Sequence, residues 1–252
     1  MDKFSLILLF RILAAHFLLD FLFIGESWKS EISRKRWKSY KLYIHAGFSA
    51  LLIFSFSTLF GVLWFPLVVF VSRVVSDGLN FSKEDEGKRI LLSQSGKLAV
   101  LLGCFIVFAD TGLSRDIMLF VSPEFSFKFW LIALSYIAIF WPVGFLIGQM
   151  TEQWRQQIKK ESLEGLGKAG LWIGRLERLL ILTFVLINRF EAIGFLIAAK
   201  SIFRIGEITN SKNRKVAEYI LIGTLLSVVS AIFLGIIAKW LLSQSFPPIQ
   251  HF

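Results

Sequence analysis

The stretch "RILAAHFLLDFLF", residues 11–23, is an apolar run that contains an arginine, a histidine and an aspartate. An ionisable side chain at the centre of a bilayer costs about 2.5–3.5 kcal/mol on insertion scales, so such residues usually face other helices and find partners. His16 and Asp20 are four residues apart and therefore share one face of a helix, whereas Arg11 lies off that face. The run predicts a transmembrane helix with a polar inner face.

The composition of the whole chain agrees with this interpretation. Of the 252 residues, 55% are hydrophobic and 18% are charged, and the mean hydropathy is +0.66. Soluble domains usually have about 45–50% apolar and about 25% charged residues. We therefore predict an all-α, polytopic transmembrane helical bundle with about eight spans. The eight apolar segments are 4–24, 42–60, 64–82, 90–109, 128–149, 170–188, 191–204 and 217–242.

The seventh segment is short, so a bundle of seven spans is the alternative. We divide the chain into two membrane regions. Residues 1–110 form an N-terminal four-helix region that carries the His-x3-Asp motif, and residues 111–252 form a C-terminal region with about four spans.

Basic residues are distributed unevenly between the predicted connections. Nineteen Lys and Arg lie in the connections 25–41, 81–97, 150–175 and 204–215, and five lie on the opposite side. Because Lys and Arg collect in cytoplasmic loops, both termini are predicted to lie outside. The same rule explains the net charge of +10, so we expect no nucleic-acid partner. The expected partners are the lipid bilayer, an anionic lipid headgroup or another membrane protein.

Polar residues inside the predicted spans are the candidate site. The His16–Asp20 spacing recurs in Arg73 and Asp77. The candidates are His16, Asp20, His45, Arg73, Asp77, Gln94, Lys97, Glu177, Arg178, Lys200, Arg204 and Glu218. In the predicted topology nearly all of them fall in the cytoplasmic third of the bilayer, where a cytoplasm-facing cluster is expected. For Arg204 and Lys97, snorkelling towards the headgroups is the competing interpretation.

Two chemistries could use these residues. His16, Asp20, His45 and Asp77 offer two imidazoles and two carboxylates, a ligand mix that suits a divalent metal such as zinc, iron or manganese. Such a metal would activate water for hydrolysis. Basic residues could instead bind the phosphate of a headgroup or nucleotide. The residues of this second set are Arg73, Lys97, Arg178, Lys200 and Arg204.

The order of these motifs resembles a bacterial multi-pass membrane family, domain of unknown function 3307. The matching motifs are His16-x3-Asp20, His45, Arg73-x3-Asp77 and Ser93-Gln94-x2-Lys97. The family pattern has His where this chain has Arg73 and Lys97, and Asp where it has Ser93. The resemblance implies the bacterial cytoplasmic (inner) membrane and no particular activity. The two cations in place of His favour an ion-pair core over a metal site.

Three functions are consistent with the sequence. The favoured one is a non-catalytic membrane partner or sensor subunit with a buried polar cluster near the cytoplasmic side. The alternatives are a membrane-embedded metal-dependent hydrolase or lipid-modifying enzyme, and a small transporter or channel subunit. Whether the protein is an enzyme is left open by the sequence.

Overall fold

The computed structural model describes residues 3–23, 26–57, 59, 62–79, 86–108, 123–158, 169–208 and 214–244. Every regular element in these ranges is helical, which confirms the predicted all-α class for the described part of the chain. The first helices are α1 (Lys3–Leu18), continued by a π-helical turn (Leu19–Phe23), α2 (Glu26–Lys35), a 3-10 turn (Arg36–Lys38), α3 (Tyr40–Ser57), α4 (Trp64–Gly78) and α5 (Glu86–Phe108). The others are α6 (Pro123–Phe140), α7 (Pro142–Arg155), α8 (Ala169–Leu186), α9 (Phe190–Ile208) and α10 (Arg214–Gln244).

Among the described residues, three stretches are long and apolar enough to cross a membrane. They are Ile90–Val107 in α5, Phe127–Arg155 across α6 and α7, and Lys215–Gln244 in α10, with 18, 29 and 30 residues. A span needs roughly 17–25 mainly apolar residues. The described part of the chain thus contains helices that could span a membrane, as the sequence predicts. The eight predicted segments fall mainly on helices, and the number of crossings stays a prediction.

A proline interrupts the second of these stretches. Pro142 has no N–H, and its ring would clash with a carbonyl in the preceding turn, so α6 ends at Phe140. The amide of Phe145 donates to the Trp141 carbonyl at 2.9 Å, which shows that helix resumes at once. The break leaves carbonyls at the end of α6 without partners inside that helix.

Residue contacts divide the chain into two units, 1–134 and 135–252, whereas the sequence analysis placed the division at residue 110. In the first unit, α1, α3, α4 and α5 surround an apolar core. Its buried side chains include Leu8, Ile12, Ala15, Leu19, Ala50, Ile53, Phe65, Val69, Leu101, Cys104 and Phe105. The short α2 packs on α3 and α4 through Ile32.

The start of α6 contributes aromatic side chains to the first unit. Phe127 lies 5.5 Å from Phe10 between ring centroids, and Trp130 lies 5.6 Å from Phe56. The guanidinium carbon of Arg11 lies 5.5 Å from the centroid of Trp130. Arg11 thus points away from the His16–Asp20 face, as its position predicted, and its partner is an aromatic ring.

In the second unit, α10 packs on α7 and α8, and α9 packs on α8. The core consists of Ile139, Ile181, Leu182, Val185, Ile193 and Ala231. Gly235 permits a close approach of α10 to α8, because an added Cβ would lie 2.6 Å from Val185 Cγ1. Small residues commonly allow such contacts between membrane helices.

We expect Gly235→Ala to lower the free energy of unfolding by about 1–3 kcal/mol, because the added methyl overpacks the α8–α10 contact. Gly223→Ala is the matched control on the same helix, since a Cβ there meets no atom within 4 Å. The melting temperatures of both variants are measured by thermal unfolding in detergent. Equal melting temperatures for the two would contradict the proposed contact.

Candidate functional site: a buried ion-pair cluster in the N-terminal unit

Four helices of the first unit each supply two polar side chains with the same spacing. The pairs are His16 on α1 and Asp20 in the π-helical turn that continues it, His45 and Ser49 on α3, Arg73 and Asp77 on α4, and Ser93 and Lys97 on α5. Residues four apart lie on one face of a helix, so each pair faces inward together. These eight residues and Gln94 form what we call the core cluster.

Asp20 is the most heavily hydrogen-bonded member of the core cluster. Its side chain is fully buried at the start of the π-helical turn. Oδ1 accepts from Arg73 Nη1, and Oδ2 accepts from Lys97 Nζ at 2.9 Å and from Gln94 Nε2 at 2.7 Å. A buried carboxylate is tolerated only when it is paired and hydrogen-bonded, and both oxygens of Asp20 meet that condition.

Asp77 forms the more open end of the cluster, with 17% of its side chain exposed. Its Oδ1 lies 2.6 Å from Lys97 Nζ and accepts from Ser93 Oγ at 2.9 Å. Lys97 therefore bridges Asp20 and Asp77, one from each of two other helices. A lysine ammonium has three N–H donors, which is enough for both carboxylates.

The two histidines occupy different positions in the cluster. His16 Nδ1 lies 2.7 Å from Arg73 Nη2. Because a guanidinium can only donate, Nδ1 accepts and the ring proton is placed on Nε2. His45 lies between the carboxylates, with Nε2 at 4.0 Å from Asp20 Oδ1 and Nδ1 at 3.8 Å from Asp77 Oδ2. Its Nε2 is also 3.3 Å from Ser49 Oγ.

The ionic charges of the core cluster balance, because it has two aspartates and two basic residues. Arg73 and Lys97 are 1% and 2% exposed, so these charges interact away from water. Removing one partner of a buried ion pair typically costs 3–5 kcal/mol, since the other charge is left uncompensated. Four buried atoms of the cluster have no hydrogen-bond partner within the described part of the chain: His16 Nε2, His45 Nδ1, Arg73 Nε and Gln94 Oε1.

The four predicted metal ligands come close together, but cations lie among them. In the described residues, no group of three or more His, Cys, Asp or Glu side chains is arranged to hold a metal ion. Arg73 and Lys97 occupy both oxygens of Asp20, and Lys97 also occupies Oδ1 of Asp77. The divalent metal stays a prediction, and this arrangement of positive charge does not favour it.

The remaining candidates lie in the second unit and make contacts of their own. Lys200 Nζ is ion-paired with Glu177 Oε2. Arg178 donates from Nε to the Ile139 carbonyl at 3.1 Å. Glu218 lies on an exposed face of α10. The side chain of Arg204 lies outside the described residues.

Two serines of the core cluster were not among the predicted site residues. Ser49 follows His45 by four positions, and Ser93 precedes Lys97 by four. The spacing that identified the charged pairs therefore also applies to them. A serine alone carries little information, because its hydroxyl can bond to a carbonyl of its own helix.

No family model, curated protein or solved structure matches the chain. The resemblance to domain of unknown function 3307 therefore stays a prediction.

We expect Lys97→Met to lower the free energy of unfolding by about 3–5 kcal/mol, because Arg73 would then be the one basic residue left in the core cluster to balance two aspartates. Adding Asp77→Asn restores neutrality and should recover part of that loss. The free energy of unfolding of both variants is measured by denaturation in mixed micelles. Lys35→Met is the control, since its pair with Glu31 is solvent-exposed and is worth about 0–1 kcal/mol. A double variant less stable than Lys97→Met would contradict the charge-balance argument.

Proposed function

We propose that the chain is a multi-pass protein of the bacterial inner membrane that acts as a non-catalytic membrane partner or sensor subunit. The observation that carries this proposal is the neutralisation of Asp20 and Asp77 by Arg73 and Lys97. A carboxylate that works as a general base or binds a metal needs free lone pairs. Carboxylates that are ion-paired with two buried cations suit a rigid scaffold better.

Eight spans with both termini outside are part of the proposal. The eight apolar segments fall mainly on helices, and the basic connections between them alternate with connections poor in Lys and Arg. The whole pattern supports four basic loops in the cytoplasm. The short seventh segment lies within α9, a helix of 19 residues, so its length is compatible with the eight-span arrangement.

The first basic connection supports an anionic lipid headgroup as a partner. Arg34, Lys35 and Lys38 are exposed there. Hydrogen bonds from Lys41 and Lys35 lower the pKa of Glu31, which keeps this carboxylate charged and ties α2 to the start of α3. The remaining exposed positive charges are free to attract anionic lipid, by about 1 kcal/mol for each residue near the surface.

Cysteine labelling tests the orientation. In a Cys104→Ser background, single cysteines replace Lys38, Gln157 or Arg189, all of which are exposed in the structure. A membrane-impermeant maleimide added to spheroplasts should label only Arg189→Cys, and disruption of the membrane should make the other two reactive. Labelling of Lys38→Cys in intact spheroplasts would reverse the proposed orientation, and protection of Arg189→Cys would favour seven spans.

Extraction of the whole chain in native-lipid polymer discs tests the partner role. We expect a second protein in stoichiometric amount and no stoichiometric zinc, iron or manganese, because a neutral cluster does not attract a divalent cation. If the chain is extracted without a second protein, the proposed role as a partner subunit is contradicted. Bound metal that is lost in Asp20→Asn would instead support the enzyme alternative.

A double variant provides the positive control for the metal measurement. Arg73→His with Lys97→His gives the core cluster four imidazoles and two carboxylates, and leaves a net charge of about −2. This set suits zinc, so the variant should acquire metal that the wild-type chain does not hold. If neither protein binds zinc, the balance of charge is not what excludes the metal.

A further inference from the structure

The second unit contains a buried cation, Arg178, with no carboxylate partner in the part of the chain that the structure describes. Its side chain lies midway along α8, and the residue is 5% exposed. Nε donates to the Ile139 carbonyl at 3.1 Å, and Nη1 donates to Ser227 Oγ at 3.4 Å. Both acceptors are uncharged. Buried charges in proteins are normally paired with an opposite charge, and Arg178 lacks one.

The charges nearest to Arg178 do not balance it. Arg175, another cation, precedes Arg178 by three residues and so lies on the same side of α8. Glu177 is itself ion-paired with Lys200. The contrast with the core cluster is clear, since each buried cation there contacts an aspartate. Positive potential is therefore concentrated around the guanidinium of Arg178.

The break between α6 and α7 lies against this guanidinium. Ile139 belongs to the last turn of α6, whose carbonyls lack partners within the helix. Gly144 belongs to the first turn of α7, and a Cβ added to it would lie 2.5 Å from Arg178 Nη2. Nη2 thus lies directly against the backbone at the start of a helix of 14 residues. Backbone N–H groups at the start of a helix attract anions; in α7 Pro142 has none and that of Phe145 bonds to Trp141, so the guanidinium is the main donor here.

We propose that Arg178 and the first turn of α7 form a binding site for one anionic group, a carboxylate or a phosphate. The planar guanidinium binds either group through two parallel hydrogen bonds. Arg175 adds a second cation nearby, with its Cζ 5.2 Å from the ring centroids of both Phe140 and Trp172. A cation beside aromatic rings suits the headgroup of an anionic amphiphile, and the same site accepts a free oxyanion.

Melting temperatures of the full-length protein test the proposal and identify the source of the anion. One arm adds inorganic phosphate to protein in neutral detergent. The other compares nanodiscs of phosphatidylcholine with nanodiscs that also contain phosphatidylglycerol. A ligand that binds only the folded state raises the melting temperature in a concentration-dependent way. A higher melting temperature with phosphate would show that the site binds a free oxyanion. A higher melting temperature with phosphatidylglycerol but not with phosphate would show that it binds a lipid headgroup.

Two Arg→Gln variants show whether the shift depends on this site. Arg178→Gln should weaken anion binding on the order of tenfold or more, because charged hydrogen bonds are lost. Arg189→Gln, in the exposed turn after α8, should retain the whole shift. A shift that survives in Arg178→Gln would overturn the proposal, as would the absence of a shift in the wild-type protein with both probes.

Ser227→Asp keeps the proposal testable if Arg178→Gln does not fold. This variant places a carboxylate within reach of Arg178 Nη1, which lies 3.4 Å from Ser227 Oγ. We expect a higher melting temperature without added anion and loss of the anion-dependent shift, because the new carboxylate occupies the site. An unchanged shift would overturn the proposal. All these variants lie in the second unit, so the result is independent of the proposed role of the core cluster.

Discussion

The carboxylate of Asp20 is buried among apolar helices and accepts hydrogen bonds from α4 and α5. Transfer of such a charge out of water costs several kcal/mol even after relaxation, so the fold must supply its partners accurately. Arg73 and Lys97 can reach the Asp20 carboxylate only if α1, α4 and α5 pack in one particular register along their axes. The ion pairs therefore restrict how these helices can pack, whereas apolar contacts alone would accept many registers.

Three arginines in the described helices are stabilised in three different ways. Arg73 contacts a carboxylate, Arg11 lies over the ring of Trp130, and Arg178 donates to a carbonyl at the end of a helix. Each way places negative potential near the guanidinium, and only the carboxylate provides a whole charge. Net positive charge therefore concentrates at Arg178, whereas the core cluster is neutral. This difference is the basis for proposing a scaffold role for the first unit and an anion site in the second.

Much of the helical structure could be predicted from the sequence, because helix formation and apolar length depend on local composition. The spacing of His16 and Asp20, repeated in Arg73 and Asp77, also identified side chains that share a face. Ser49 and Ser93 follow the same spacing, but a polar hydroxyl can be satisfied within its own helix, so the pattern did not single them out. The end of α6 at Pro142 follows from the chemistry of proline.

The sequence by itself determined that the chain is helical, that apolar segments long enough to cross a membrane recur along it, and which polar residues lie on common helix faces. Only the tertiary structure decided which charges meet. His16 contacts a side chain 57 positions away, and Lys97 contacts Asp20 77 positions away. It also decided that Glu177 pairs with Lys200, while its neighbour Arg178 contacts no carboxylate among the described residues. Helix periodicity is local, whereas ion pairing depends on how distant helices pack and in which register.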